Sequence, residues 1–132
     1  MSMDDVDKLE GQALEDAFAR EAHGWTLSPG GFYWMETEVN PWTGKTYLSK
    51  HHRRSWHPAS QWGAFGFAVQ DMCEMGFEVW LHTDGQRSEC SVWAANTLGG
   101  KDPLVRQLGG KHLRETGLRA FIKAVRARRA AA

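Results

Sequence analysis

The sequence predicts an α+β fold, a three-layer α/β/α sandwich of three helices and a small, mostly antiparallel sheet of about four strands. Three observations carry this expectation. Trp62, Phe65, Val69 and Met72 recur three, four and three positions apart, the period of an amphipathic helix. Immediately afterwards the period falls to two, with Phe77, Val79 and Leu81 alternating with Glu78, Trp80 and His82. Asp84-Gly85 then supplies a hairpin signal, because a tight β-turn needs positive φ. At 132 residues, 42% of them hydrophobic, the chain can bury a core without metal or disulfide staples, and residues 1–132 read as a single domain.

Taken in order, residues 3–23 predict a first helix, opened by Ser2 and Asp5 and closed by Gly24. Val6, Leu9, Ala13, Ala17 and Phe18 form its apolar stripe, and Asp16 and Arg20 are spaced to pair. Gly11 weakens its middle by roughly 1 kcal/mol relative to Ala. Residues 25–27 and 32–39 predict two antiparallel strands around the turn Ser28-Pro29-Gly30-Gly31. Lys45–Leu48 reads as a third, edge-like strand, and residues 49–57 as a basic, histidine-rich loop without periodicity.

Ser60 stands where an N-cap belongs before the central helix, and Gly76 where its left-handed terminator belongs. Counting back from Asp84-Gly85 pairs Leu81 with Ser88, Val79 with Cys90 and Phe77 with Val92, placing all but Ser88 on one core face. Trp80 and Trp93 fall on the other face, which calls for helices on both sides. Residues 97–113, with four glycines and Pro103, read as a long Gly-rich loop with at most a helical turn at 104–108. Thr116 then caps a last helix whose Leu118, Phe121, Ile122 and Val125 form a buried stripe, with Lys123, Arg126, Arg128 and Arg129 at its C-terminal end.

The net charge is zero but uneven: residues 1–40 carry two basic and nine acidic side chains (2 − 9 = −7), residues 41–132 fourteen and seven (14 − 7 = +7). Neutrality argues against a dedicated nucleic-acid binder, and the acidic first helix is expected to lie over basic segments. No apolar run approaches the roughly 20 residues that span a bilayer, and the N-terminus has no signal-peptide pattern. A cytoplasmic setting is expected, with Cys73 and Cys90 as buried thiols.

Four short motifs resemble the phage ABA-sandwich domain family, which includes NinX-type proteins of lambdoid phages. They are Ala22-His23-Gly24-Trp25 at the end of the first helix, a following strand with Trp34, Trp56-His57-Pro58-Ala59-Ser60 leading into the central helix, and Thr116 opening a helix of AIxxAAL type. The match spans most of residues 10–127. The segments 40–57 and 97–113 are longer than that pattern. The resemblance implies a helix–sheet–helix sandwich of phage or prophage origin, in the cytoplasm of a bacterial host. It supplies no catalytic residues.

No catalytic constellation is legible. The chain lacks phosphate-binding glycine loops, and Gly99-Gly100 and Gly109-Gly110 have no strand-to-helix context. Asp71 and Glu74 read as the solvent side of the central helix. His51, His52 and His57 lack metal-ligand spacing, and no metal or cofactor is expected. Lys50, Arg53 and Arg54 suit an anion or an acidic partner, with Trp42 and Trp56 near enough in sequence to stack on bases. A solvated loop is the ordinary reading of such a run. Phe67 falls with Gln70, Asp71 and Glu74, opposite Phe65 and Met72. It is expected to be at least half exposed, or covered by a partner or a second copy of the chain.

The functional expectation is therefore a non-enzymatic accessory protein binding a host protein complex, such as a counter-defence, anti-CRISPR-like inhibitor. The alternative is a small-ligand or nucleotide-binding module, or a nucleic-acid binder using residues 50–57.

Overall fold

The structure, a computed structural model, describes residues 5–94 and 102–131. Among these residues the fold is α+β, with three α-helices and two three-stranded antiparallel sheets. The first sheet has the order β1 (Thr26–Leu27), β2 (Tyr33–Val39), β3 (Thr46–His52). The second has the order β4 (Phe77–Thr83), β5 (Ser88–Ala94), β6 (Val105–Gly109). The single sheet of about four strands expected from sequence is thus replaced by two.

Sequence periodicity also missed two strand segments, one in each sheet. The sequence predicts a basic loop over residues 49–57, yet residues 49–52 complete β3, where His52 pairs with Tyr33 and Lys50 with Met35. Polar alternation is normal on an edge strand, which needs no apolar run. The Gly-rich segment likewise holds β6 in place of a loop or helical turn. Its Gln107 is buried and its Arg106 and Leu108 are exposed, and it pairs along β5. Residues 97–101 of that segment lie outside the described residues.

The first helix is also interrupted. A 3-10 turn at Val6–Lys8 ends in extended Leu9 and Glu10, and α1 runs only over Gly11–Phe18 before widening into a π-helical turn at Ala19–His23. Gly11 takes φ +55°, open to glycine at no steric cost. Two side chains of α3 (Leu113–Ala131) satisfy the exposed backbone at this break: Arg119 donates to the Leu9 carbonyl and Glu115 accepts from the Gly11 N–H. Asp16 does not pair with Arg20. It holds the Arg53 guanidinium instead, and Arg20 lies over the Trp34 ring.

The hairpin register is offset by two residues from the expected one, with Leu81 opposite Cys90 and Val79 opposite Val92. Asp84 is the corner of a longer turn, its carboxylate accepting from the Gln86 and Arg87 N–H groups. A shift of two preserves the face, so Phe77, Val79, Leu81, Cys90 and Val92 still point into the core. On the opposite face Trp80 is 43% exposed. Against the core face lies α3, with Leu118, Phe121, Ile122 and Val125 all buried as expected. Thr116 is no cap, since α3 begins three residues earlier. It is buried and shares a hydrogen bond of 2.6 Å with Ser88 on β5.

The central helix α2 spans Trp62–Glu74, with Gly76 in the left-handed region after it. Gln61 precedes it as an N-cap without a side-chain hydrogen bond, so Ser60 does not cap it. Phe65, Ala68 and Met72 are buried, whereas Trp62 is mostly exposed beneath the Arg114 guanidinium. Cys73 is exposed, contrary to expectation, and Cys90 is buried, its thiol pushed up to about 12 by burial.

The acidic N-terminal region does lie over basic segments. Asp7 pairs with Lys123, Glu15 with His57, Asp16 with Arg53 and Glu21 with Arg126. Glu15 is almost fully buried and also accepts from the Ala59 N–H. Its hydrogen bond raises the His57 pKa, burial opposing.

Candidate binding cleft

Strand alternation sets Trp34, Glu36 and Glu38 on one face of β2, and the register brings His51 of β3 level with Trp34 on that face. Leu27 of β1 pairs with Trp34, so Trp25, two residues earlier, shares the face. On α2, Phe67, Asp71 and Glu74 are four and three positions apart and form one side of the helix. Sheet and helix face each other across a cleft of ≈ 500 Å³, whose lining includes Glu36, Glu38, Asp71 and Glu74 with His23, His51, Trp25, Trp56, Phe67 and Met75.

One wall is a stack of three rings. Trp25 lies between His23 and His51, with centroids 4.1 Å and 4.4 Å away and planes within 14° of parallel. Trp56 meets Trp25 edge-on at 5.2 Å and also packs against the main core, joining the two hydrophobic clusters. Each histidine faces a carboxylate: His51 Nε2 is 2.9 Å from Glu36, and His23 Nε2 is 3.2 Å from Asp71.

The second contact is not an ordinary ion pair. Despite the short distance, His23 Nε2 lacks hydrogen-bond alignment to any partner among the described residues, as does the buried Nε1 of Trp25. Burial holds His23 down to about 4, overriding the attraction of Glu36. Burial, then the charges of Glu74 and Glu36, push Asp71 up to about 6. At neutral pH Asp71 is therefore an anion beside a neutral imidazole, in a field of other carboxylates.

This makes a stability prediction. A native carboxyl at about 6 rather than 3.8 holds its proton to higher pH than the unfolded chain does, so Asp71 costs stability as pH rises across that window. Asp71→Asn should gain on the parent between those limits and then plateau, by about 1 kcal/mol once screening at this partly exposed side chain is allowed for. Urea unfolding at several pH values checks it; a variant that loses ground as pH rises refutes the assigned charge.

The sequence-nominated residues are dispersed. Phe67, Trp56 and His51 line the cleft. Lys50 and His52 lie on the opposite face of the first sheet, both against Tyr33. Arg53, Arg54 and His57 border a separate depression of ≈ 360 Å³ with Gly30, Gly31 and Phe32. Trp42 stands at the β2–β3 tip, 91% exposed. His23, Trp25, Glu36, Glu38, Asp71 and Glu74 were not nominated. The signal for four of these six was present: a polar trio around Phe67 on α2, and two glutamates two apart on β2.

Among the described residues no group of three or more His, Cys, Asp or Glu is arranged to hold a metal ion, and no helix is long and apolar enough to cross a membrane. No family model, curated protein or solved structure matches the chain. The cleft offers ring faces and negative charge, which suit capture of a ligand by stacking and electrostatics.

Proposed function

We propose that the protein acts by binding rather than catalysis, as a phage- or prophage-encoded accessory protein that docks on a host protein complex in a counter-defence, anti-CRISPR-like role. One observation carries the docking reading: Phe67 is 68% exposed at an acid-lined cleft, the setting of an aromatic interface anchor. The resemblance of residues 10–127 to the phage ABA-sandwich domain supports the origin, and the three-layer arrangement it implies belongs to the same proposal. Phe67→Ser should leave stability within about 1 kcal/mol of the parent and reduce capture of an identified host complex at least tenfold. Retained capture by a folded variant, or a loss of several kcal/mol of stability with association untouched, sinks the docking reading.

A nucleotide-binding role is the second reading, favoured by the ≈ 360 Å³ depression where Phe32, 64% exposed, adjoins Arg53 and Arg54. Because Arg53 is already held by Asp16, Arg54 carries most of this reading. Arg54→Ala should abolish salt-sensitive binding of nucleotides or RNA; absence of such binding by the unaltered protein rejects it.

A further inference from the structure

We infer that the acid–aromatic cleft is a receptor for an organic cation, the guanidinium or ammonium of an arginine or lysine side chain presented by the docked protein. This rests on the docking reading above and names what the partner's surface carries. Four carboxylates converge on the cleft from two separate elements, Glu36 and Glu38 from β2 and Asp71 and Glu74 from α2. Among the described residues no lysine or arginine of the chain lines it, although acids elsewhere on the surface are matched by Arg53, Lys123 and Arg126. Apart from the His51–Glu36 contact and the neutral His23 beside Asp71, the carboxylates of the cleft have no basic side chain lining it with them among the described residues.

The site is more than a group of acids. Both faces of Trp25 are taken by His23 and His51, so Trp56 and the exposed Phe67 supply the ring surface beside the carboxylates, and a cation over an aromatic face is attracted by the ring quadrupole. Partial exclusion of water by these rings strengthens each charge interaction. His23 stacks on Trp25 beside Asp71, and burial keeps its imidazole neutral, so it brings no cation of its own into the site. The volume, ≈ 500 Å³, lies within the range of sites that enclose a whole ligand group. A guanidinium fits best, being planar, weakly hydrated and able both to stack and to bridge carboxylates.

The test titrates the intact protein with a short, blocked arginine peptide, the same peptide with citrulline for arginine, and spermidine. Binding is followed by tryptophan fluorescence, since Trp25 and Trp56 form the wall, and by calorimetry. The arginine peptide should bind saturably, at least tenfold tighter than the citrulline peptide. Asp71→Asn, expected to be no less stable than the parent, should weaken it at least tenfold, and Phe67→Ser severalfold. Affinity should rise as pH is raised through about 6, where Asp71 ionises. Equal binding of the two peptides, or no effect of Asp71→Asn, overturns the inference. Spermidine binding as tightly as the peptide overturns the protein source and makes a free polyamine the occupant. Capture of the host complex that is lost in Phe67→Ser but unchanged in Asp71→Asn removes this inference and leaves the docking reading standing.

Discussion

Phe121→Ala should lower the unfolding free energy by about 3–5 kcal/mol, the range for deleting a buried phenylalanine ring and leaving a cavity. The side chain is fully buried on α3, stacked 5.9 Å from Phe65 of α2 and tilted against Phe18 of α1 at 6.0 Å. It therefore ties all three helices together over the second sheet. The surrounding rings are held by their own contacts, so collapse into the vacated space is limited. Urea or thermal unfolding of the purified variant measures the loss. A change below about 1 kcal/mol would show that the core relaxes around the gap and that Phe121 is not its centre.

Gly117→Ala should also destabilise, by about 2–3 kcal/mol, although the same change in an exposed helix interior stabilises by up to about 1 kcal/mol. A methyl group at Gly117 would meet the Phe65 ring at 2.6 and 2.8 Å, well inside contact distance. Phe65 cannot swing aside cheaply, because it is buried, stacked on Phe121 and edge-on to Trp62. The overlap therefore outweighs the helix-propensity gain. The double variant Gly117→Ala with Phe65→Leu should recover part of the loss. A single variant as stable as the parent would mean that α2 and α3 separate more readily than their packing indicates.

Strongly periodic segments were legible because local geometry and burial agree there. The stripe on α3, the buried face of α2 and the alternating strands β4 and β5 each follow a single period. Even the two-residue register error in the hairpin left every side chain on its correct face. Where local signals and tertiary demands conflict, the reading failed. Residues 5–10 have helical character, yet Arg119 and Glu115 of α3 hold Leu9 and Gly11 in a break. Residues 49–52 and 105–109 carry too few apolar side chains to announce strands, and become strands because β2 and β5 offer unpaired edges.

The cleft divides in the same way. Periodicity alone specifies that Glu36 and Glu38 share a side of β2, and that Phe67, Asp71 and Glu74 share a side of α2. It also shows that Phe67 does not belong to the stripe of Phe65 and Met72. Each acidic face, taken alone, is an ordinary solvated surface, and Asp71 was read as such. Only the tertiary structure decides that the two faces oppose each other across a wall of Trp25, His23 and His51. The reason is physical: the separation of charges on different elements is set by the packing of Trp34, Trp56 and the α2 core. Those contacts are long-range, and no local pattern encodes them. Burial between these elements raises Asp71 and keeps His23 neutral, and Glu36 from across the cleft adds to the rise of Asp71.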